Sequence, residues 1–147
     1  MAAALYGKGR NTFSRGESHW KATAGDTFRA MLVDSALYTK VIDTDEFFSD
    51  VPAGARKGNN GGNTRADMPQ LTLLDPALGV HDANNIIFTT VPAGSALEYL
   101  VIFKDTGVDG TSPLIACIDD ATGLPITPNG ADINVTWDDG ANKIFKL

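Results

Sequence analysis

The stretch ALEYLVIFKD, Ala96 to Asp105, places apolar side chains on both faces of an extended chain. Side chains of a strand alternate between its two faces, so the stretch divides into two apolar sets. They are Leu97, Tyr99, Val101 and Phe103 on one side and Leu100 and Ile102 on the other. A strand that is apolar on both sides is typical of a sheet covered on both faces. The sequence therefore predicts a central strand here.

A second stretch, DTFRAMLVDS, has the same character, with Phe28, Ala30 and Leu32 on one face and Met31 and Val33 on the other. From Met68 onward, further strand-like segments alternate with turns rich in Pro, Gly, Asn and Asp. These segments read MPQLTLL, NNIIFTTV, SPLIACID, ADINVTWD and NKIFKL. The pattern predicts a mainly β fold, an antiparallel β-sandwich or a jelly-roll-like barrel. Residues 68–147 form its main β region, joined by the strand near 27–34.

The connections between these strands can also be predicted. DPALGVHDAN, residues 75–84, is interpreted as a turn, and DDGAN, residues 138–142, as the connection of a final hairpin between DINVTWD and NKIFKL. VPAG occurs twice, at 51–54 and 91–94, but four residues with dissimilar flanks do not indicate a repeat. The strand patterns also predict which side chains are buried. These are Leu32, Phe88, Tyr99, Val101, Phe103, Ile115, Ile133, Val135 and Trp137.

Residues 1–20 are expected to form an N-terminal arm or helix. Gly7 and Gly9 each weaken such a helix by roughly 1 kcal/mol relative to alanine, so it needs packing to persist. It is either a helix docked on the domain or an arm that becomes ordered on contact. A second short helix is expected near residues 44–50, capped by Thr44 and limited by Pro52.

Residues 56–67 read RKGNNGGNTRAD, and this composition predicts a mobile loop rich in Gly and Asn. Its three cations, Arg56, Lys57 and Arg65, are suited to gripping a phosphate, although scattered cations on such a loop are more often simply solvated.

The chain has 147 residues, which suits one domain over 1–147. Its net charge of −6 is unevenly distributed, since most cations lie before residue 66 and most acids after it. An acidic surface disfavours non-specific binding to nucleic acid, and no apolar run is long enough to span a membrane. The single cysteine excludes an internal disulfide and fits synthesis in a reducing compartment.

Residues suited to catalysis or to holding a cofactor are few. None of the phosphate-loop, dinucleotide, nucleophile-elbow or zinc motifs occurs. His81 beside Asp82 is interpreted as a surface histidine rather than half of a dyad, and Cys117 as a buried apolar residue rather than a nucleophile. The aspartates are expected to stabilise turns rather than bind calcium, and the aromatic residues to lie in the core rather than bind carbohydrate. No catalytic residue, metal or cofactor is predicted.

Six segments, in order, resemble a family of small virion proteins of tailed bacteriophages. They read ALYGKGRNTF, DTFRAMLVDSALYT, FFSDVPAGAR, LEYLVIFKDTG, SPLIACIDDATGLPITPNG and DINVTWDDGANKIFKL. The resemblance covers nearly the whole chain, is strongest in the last fifty residues and is weakest from Gly58 to Gly79.

This resemblance implies a non-enzymatic virion structural protein, made in the host cytoplasm and located on the capsid surface. It favours a cement or decoration protein that binds the major capsid protein, with a minor tail or head–tail component as the alternative. The alternative from a different functional class is a carbohydrate-binding module or an enzyme. The expected partners are the major capsid protein and further copies of the chain, with a trimer favoured, and neither nucleic acid nor membrane. The contact residues are predicted from the sequence itself, because the N-terminal segment and the loop over 56–67 are both rich in glycine and both carry cations. They are Leu5, Tyr6, Arg10, Phe13, Arg56, Lys57 and Arg65.

Overall fold

The computed structural model describes residues 3–121, 123–141 and 143–147. The fold is mainly β, as predicted, with strands arranged in three antiparallel sheets. The elements are β1 (Ala3–Leu5), α1 (Gly7–Ser14), β2 (Phe28–Val33), β3 (Arg56–Lys57), β4 (Leu73–Ala77), β5 (Val80–Ala83), β6 (Ile86–Phe88), β7 (Tyr99–Lys104), β8 (Leu114–Ile118), β9 (Ile133–Val135) and β10 (Phe145–Lys146). The sheets have the orders β1-β8-β7-β2-β3, β10-β5-β4 and β6-β9, and over the described residues none closes into a barrel.

The five-stranded sheet is the centre of the molecule, and β7 lies between β2 and β8 within it. Leu100 pairs with Leu32 on one side and with Ile118 on the other. The predictions of an interior strand at β2 and a central strand at β7 are therefore confirmed. Each face of this sheet carries its own apolar cluster, because successive side chains of a strand point to opposite faces.

The first cluster takes the even-numbered side chains of β2, β7 and β8. It is covered by the two smaller sheets and by two tryptophans, Trp20 and Trp137. The second cluster takes the odd-numbered side chains and is covered by Tyr6, Tyr38, Phe48, Val51, Ala55 and Met68. The beginning of β8 is an exception, because the register shifts between the pairs Ile102–Ala116 and Phe103–Leu114. Leu114 therefore lies in the second cluster although its number is even, and Ile115 lies in the first.

Most of the predicted core is confirmed. Leu32, Phe88, Val101, Phe103, Ile115, Ile133 and Trp137 are all buried. Tyr99 and Val135 are only half-buried, so the prediction is wrong for these two. Tyr99 lies at the beginning of β7, where its ring packs edge-on against Tyr38 at a centroid distance of 6.3 Å. Val135 lines an open pocket on the first cluster.

The final hairpin is not formed. β9 pairs with β6, through Ile133 opposite Phe88, whereas β10 pairs with β5, through Phe145 opposite His81. The connection from Asp138 to Asn142 therefore joins two different sheets; Asn142 itself lies outside the described residues. An alternating pattern predicts that a segment is a strand, but it does not identify the partner strand.

The predicted turn over residues 75–84 is instead a hairpin. β4 and β5 pair antiparallel and are joined by Leu78 and Gly79, both of which have positive φ angles. Two positive φ angles in a two-residue loop are the geometry that matches the twist of a hairpin. The expected helix near 44–50 is reduced to a single 3-10 turn, Phe48–Asp50, because the Asp50 carboxylate accepts hydrogen bonds from the backbone N–H groups of Glu46 and Phe47.

Candidate functional site

The N-terminal segment is part of the domain. β1 forms the edge of the central sheet, with Leu5 opposite Ala116 on β8. The next residue, Tyr6, is fully buried in the second cluster and donates a 3.0 Å hydrogen bond to the hydroxyl of Tyr38. Tyr38 in turn donates to Asp45 at 2.6 Å. Burial raises the pKa of Tyr6, so it stays a neutral donor. Its predicted role as a contact residue is wrong for this arrangement, because its side chain does not reach the surface.

Helix α1 packs against the central sheet through Gly9 and Phe13. A Cβ at Gly9 would overlap the carbonyl oxygen of Leu114, so the absence of a side chain sets the distance between helix and sheet. Leu5 and Phe13 are half-buried and pack against the first cluster. Of the four N-terminal residues predicted to contact a partner, only Arg10 is exposed, and the exposed Lys8 lies two residues before it on the helix.

Phe13 belongs to a group of five rings that joins α1 to three strands and to the chain between α1 and β2. Its members are Phe13, Trp20, Phe28, His81 and Phe145. The Phe13 ring centroid lies 6.2 Å from that of Phe28 and 5.5 Å from that of His81. The segment is therefore a docked strand and helix, which was one of the two alternatives left by the sequence.

The expected loop over residues 56–67 has a strand, β3, and two 3-10 turns. Arg56, expected on the surface, is buried, and its guanidinium lies 4.0 Å from the ring centroid of Phe48. It donates to the carbonyl oxygens of Val51 at 2.7 Å and Phe48 at 3.3 Å. Burial lowers its pKa. The suggestion that Arg56 grips a phosphate is wrong, because its donors are used by the protein's own backbone.

Arg65 is bound to two carboxylates. It donates to Asp109 at 2.6 Å and to Asp105 at 2.8 Å, and Asp105 also accepts a 2.8 Å hydrogen bond from Arg29. Only Lys57 of the three predicted cations lines an open groove. The seven predicted contact residues are therefore not brought together into one surface.

The groove that contains Lys57 lies between the two VPAG turns, and we call it the VPAG groove. Its volume is about 350 Å³. Its lining consists of Asp34, Leu37, Gly54, Lys57, Gly61, Pro92, Ala93, Gly94, Ser95, Leu97 and Pro128. Val51 and Val91, the first residues of the two turns, are fully buried in different clusters. Each VPAG turn is thus anchored by its valine. The first turn contributes Gly54 to the groove, and the second contributes Pro92, Ala93 and Gly94.

Sequence reasoning missed this groove. The signal was the second occurrence of VPAG, because Val-Pro-Ala-Gly combines an apolar anchor with a turn. Leu37, on the groove wall, is 56% exposed, and Val41 nearby in sequence is 48% exposed. Single exposed apolar side chains are common on protein surfaces, so Leu37 matters here because it forms part of the groove wall.

The groups considered for catalysis have other roles. Cys117 is fully buried, and burial raises the pKa of its thiol to about 11, so it is protonated at neutral pH and unsuited to act as a nucleophile. The interpretation of Cys117 as a buried apolar residue is confirmed. His81 is also buried, stacked on Phe145, so its interpretation as a surface histidine is wrong.

The acidic residues serve the backbone, as predicted. The carboxylates of Asp26, Asp45, Asp67, Asp105, Asp132 and Asp138 each accept a hydrogen bond from a main-chain N–H group. Within the described ranges, no three or more His, Cys, Asp or Glu residues are grouped so that they could hold a metal ion. The large aromatic side chains of Trp20, Trp137, Phe88 and Phe103 are buried, as predicted, so they cannot stack on a sugar.

No protein-family model matches this chain, and no curated protein matches it either. Among the residues described, no helix combines the length and the apolar character that a bilayer crossing requires. The VPAG groove is the candidate site, because it contains Lys57, one of the predicted contact residues.

Proposed function

We propose that this protein is a non-enzymatic virion structural protein, a capsid cement that binds the shell of the major capsid protein. The observation that carries the proposal is the VPAG groove with Leu37 exposed on its wall. The resemblance of six segments to small virion proteins of tailed bacteriophages supports it independently.

The groove suits a segment of protein chain. Leu37, Leu97 and the prolines give it apolar walls, and Asp34 and Lys57 supply charged groups of both signs. Apolar walls with a few polar groups are the usual chemistry of a binding cleft. The exposed side chain of Leu37 on the groove wall adds apolar area that a protein partner would cover.

The exposed cations of α1 supply a second contact. Lys8 and Arg10 lie on either side of Gly9, the residue through which the helix is fixed to the sheet. A shell presents many identical subunits, so a protein with two separate contacts binds the second one as an intramolecular event. Modest individual contacts then hold the protein on the shell.

The test is co-sedimentation of the purified protein with purified capsid shells, over a range of protein concentrations. We expect saturable binding that Leu37→Asp weakens strongly, because a charge on the groove wall opposes burial. Val108→Asp is the matched control, since Val108 is 58% exposed on a different loop. Arg10→Ala is expected to weaken binding and to make it less sensitive to salt.

Three outcomes would contradict the proposal. If the wild-type protein does not bind shells, the cement function is wrong. If it binds purified tails or head–tail connectors instead, the alternative of a minor tail or head–tail component takes its place. If Leu37→Asp and Val108→Asp bind shells as the wild type does, the VPAG groove is not the contact.

A further inference from the structure

The tip of the β4–β5 hairpin presents an unusual side chain. Leu78 is 93% exposed, and its φ angle is +55°. Two-residue hairpin turns of this geometry favour Asn-Gly, Asp-Gly or Gly-Gly, because those residues adopt positive φ at low cost. A leucine here brings backbone strain and also exposes its whole side chain to water. Neither effect helps the isolated subunit fold.

The hairpin tip is firmly held. The carbonyl oxygen of Gly79 accepts hydrogen bonds from the backbone N–H of Leu147 at 3.0 Å and from Nδ1 of His81 at 2.9 Å. Both partners belong to the sheet formed by β10, β5 and β4 or directly follow it. Leu147, beside the tip, is itself 46% exposed. Leu78 and Leu147 together form an apolar projection, which we call the knob.

A pocket of matching character opens onto the first cluster. Its volume is about 100 Å³. Its apolar lining comes from Leu32, Leu100, Ala121, Leu124, Ile126, Ile133 and Val135. We call it the socket. An apolar cavity of about 150 Å³ is large enough for benzene, so the smaller socket suits one aliphatic side chain rather than an aromatic ring.

We propose that Leu78 of one copy inserts into the socket of a second copy, so that copies associate head to tail. Such a contact joins two different surfaces, and it closes into a ring or grows as a chain according to the rotation between neighbours. The proposal concerns self-association and does not depend on binding to a capsid. It explains why a strained, exposed leucine stands where asparagine would fit the turn better.

The first experiment is sedimentation velocity over a concentration series, with wild type and Leu78→Asn. Asn-Gly is a favoured pair for this turn, so the variant is expected to have a higher unfolding midpoint than wild type. Its self-association is nevertheless expected to weaken by roughly tenfold or more, since a central apolar anchor is lost. Val108→Asn, which removes a different exposed apolar side chain, is expected to associate as wild type does.

The second experiment mixes two variants. Thr136 is exposed and lines the socket, so Thr136→Arg blocks the socket and leaves the knob intact. Leu78→Asn removes the apolar side chain of the knob and leaves the socket intact. Each variant alone is expected to be monomeric, whereas an equal mixture forms heterodimers that do not grow further. The proposal is overturned if wild type stays monomeric at all concentrations, if Leu78→Asn associates normally, or if the mixture remains monomeric.

Discussion

His81 and Phe145 lie opposite each other on β5 and β10, and their rings stack with centroids 4.6 Å apart and planes 11° from parallel. Trp20 and Phe13 meet the imidazole edge-on, with ring centroids 5.6 Å and 5.5 Å from it. The Nδ1–H group donates to the carbonyl of Gly79, so in the neutral ring the proton lies on Nδ1. Burial lowers the pKa of His81, although the Gly79 carbonyl opposes this effect.

This stack makes the free energy of unfolding depend on pH. Unfolded His81 takes up a proton as the pH falls below its ordinary pKa of 6.5, whereas the folded chain resists protonation. Stability is therefore expected to decrease as the pH falls from 7.5 to 5.5. Urea unfolding of wild type and His81→Phe at both pH values measures this, and the variant should lose less. His19→Phe is the control at an exposed site, and an equal pH dependence in wild type and His81→Phe would contradict the expectation.

Gly7 and Gly9 give a matched pair of substitutions on α1. An added Cβ at Gly7 meets nothing closer than 3.8 Å, but at Gly9 it overlaps the Leu114 carbonyl and lies 3.0 Å from Ile115 Cα. Gly7→Ala is expected to change stability by less than about 1 kcal/mol, in the stabilising direction. Gly9→Ala is expected to cost roughly 1–3 kcal/mol, because the helix must move off the sheet. Thermal unfolding of both variants tests the docking of α1, and equal midpoints would refute it.

Trp137 closes the first cluster beyond β9. It is 4% exposed, and its indole N–H donates to the carbonyl of Asn84 at 2.9 Å. Trp137→Ala should cost about 3–5 kcal/mol, as large aromatic truncations in cores do. The adjacent exposed Thr136→Ala should stay within about 0.5 kcal/mol of wild type. Denaturant midpoints and slopes measure both, and a wild-type midpoint for Trp137→Ala would show that the side chain is not in the core.

Asp105 joins two arginines, with 2.8 Å hydrogen bonds from Arg29 and Arg65. Its side chain is only 11% exposed. Among the residues that the structure describes, Asp105→Asn leaves the guanidinium of Arg29 without a charged partner and leaves Arg65 paired with Asp109 alone, so it is expected to cost roughly 1–3 kcal/mol. Asp109→Asn is the control, since that carboxylate is half exposed and its loss should cost at most about 1 kcal/mol. Similar unfolding free energies for the two variants would contradict the bridging role.

The Asp105 carboxyl is also expected to make the free energy of unfolding decrease at acidic pH. Burial raises its pKa, but the N–H of Gly107 and the two arginines outweigh burial and leave the pKa below the ordinary value of 3.8. The stabilisation is present above pH 3.8 and is lost as the pH falls through the lowered pKa of the folded state. Wild type should therefore lose more stability than Asp105→Asn on acidification from pH 5 to pH 3. An equal loss would count against this account.

The central strands could be predicted because a strand that is buried on both faces has a run of consecutive apolar residues. In β2 from Ala30 to Val33 and in β7 from Leu100 to Phe103, every position is apolar, which is typical of a strand covered on both faces. The sequence did not identify the partner of β10, because the apolar pair Ile144-Phe145 between Lys143 and Lys146 could pack equally well beside β9 or β5. The burial of His81 was not predicted because Leu78-Gly79 does not have the residues expected at a tight turn. The hairpin that contains His81 was therefore not recognised.

The candidate site was harder to predict, since its parts are distant in sequence. Arg56 stands in a segment whose composition favours a solvated loop, but the carbonyls of Phe48, Val51 and Asn63 and the ring of Phe48 hold it inside. Tyr6 is buried because β1 pairs with β8, a partner more than a hundred positions away. The VPAG groove needs two turns that approach only after both clusters have formed.

The order of strands in the central sheet has a consequence for how the chain folds. Arg29 on β2 and Asp105 next to β7 form a hydrogen bond across 76 positions of sequence. β1 pairs with β8, which lies further along the chain than β7. Pairing between distant segments closes large loops before it yields contacts, so folding is expected to be slow. On the ribosome, β1, α1 and β2 emerge long before their partners exist. Their apolar side chains stay exposed to other nascent chains during that interval, which is when aggregation competes with folding.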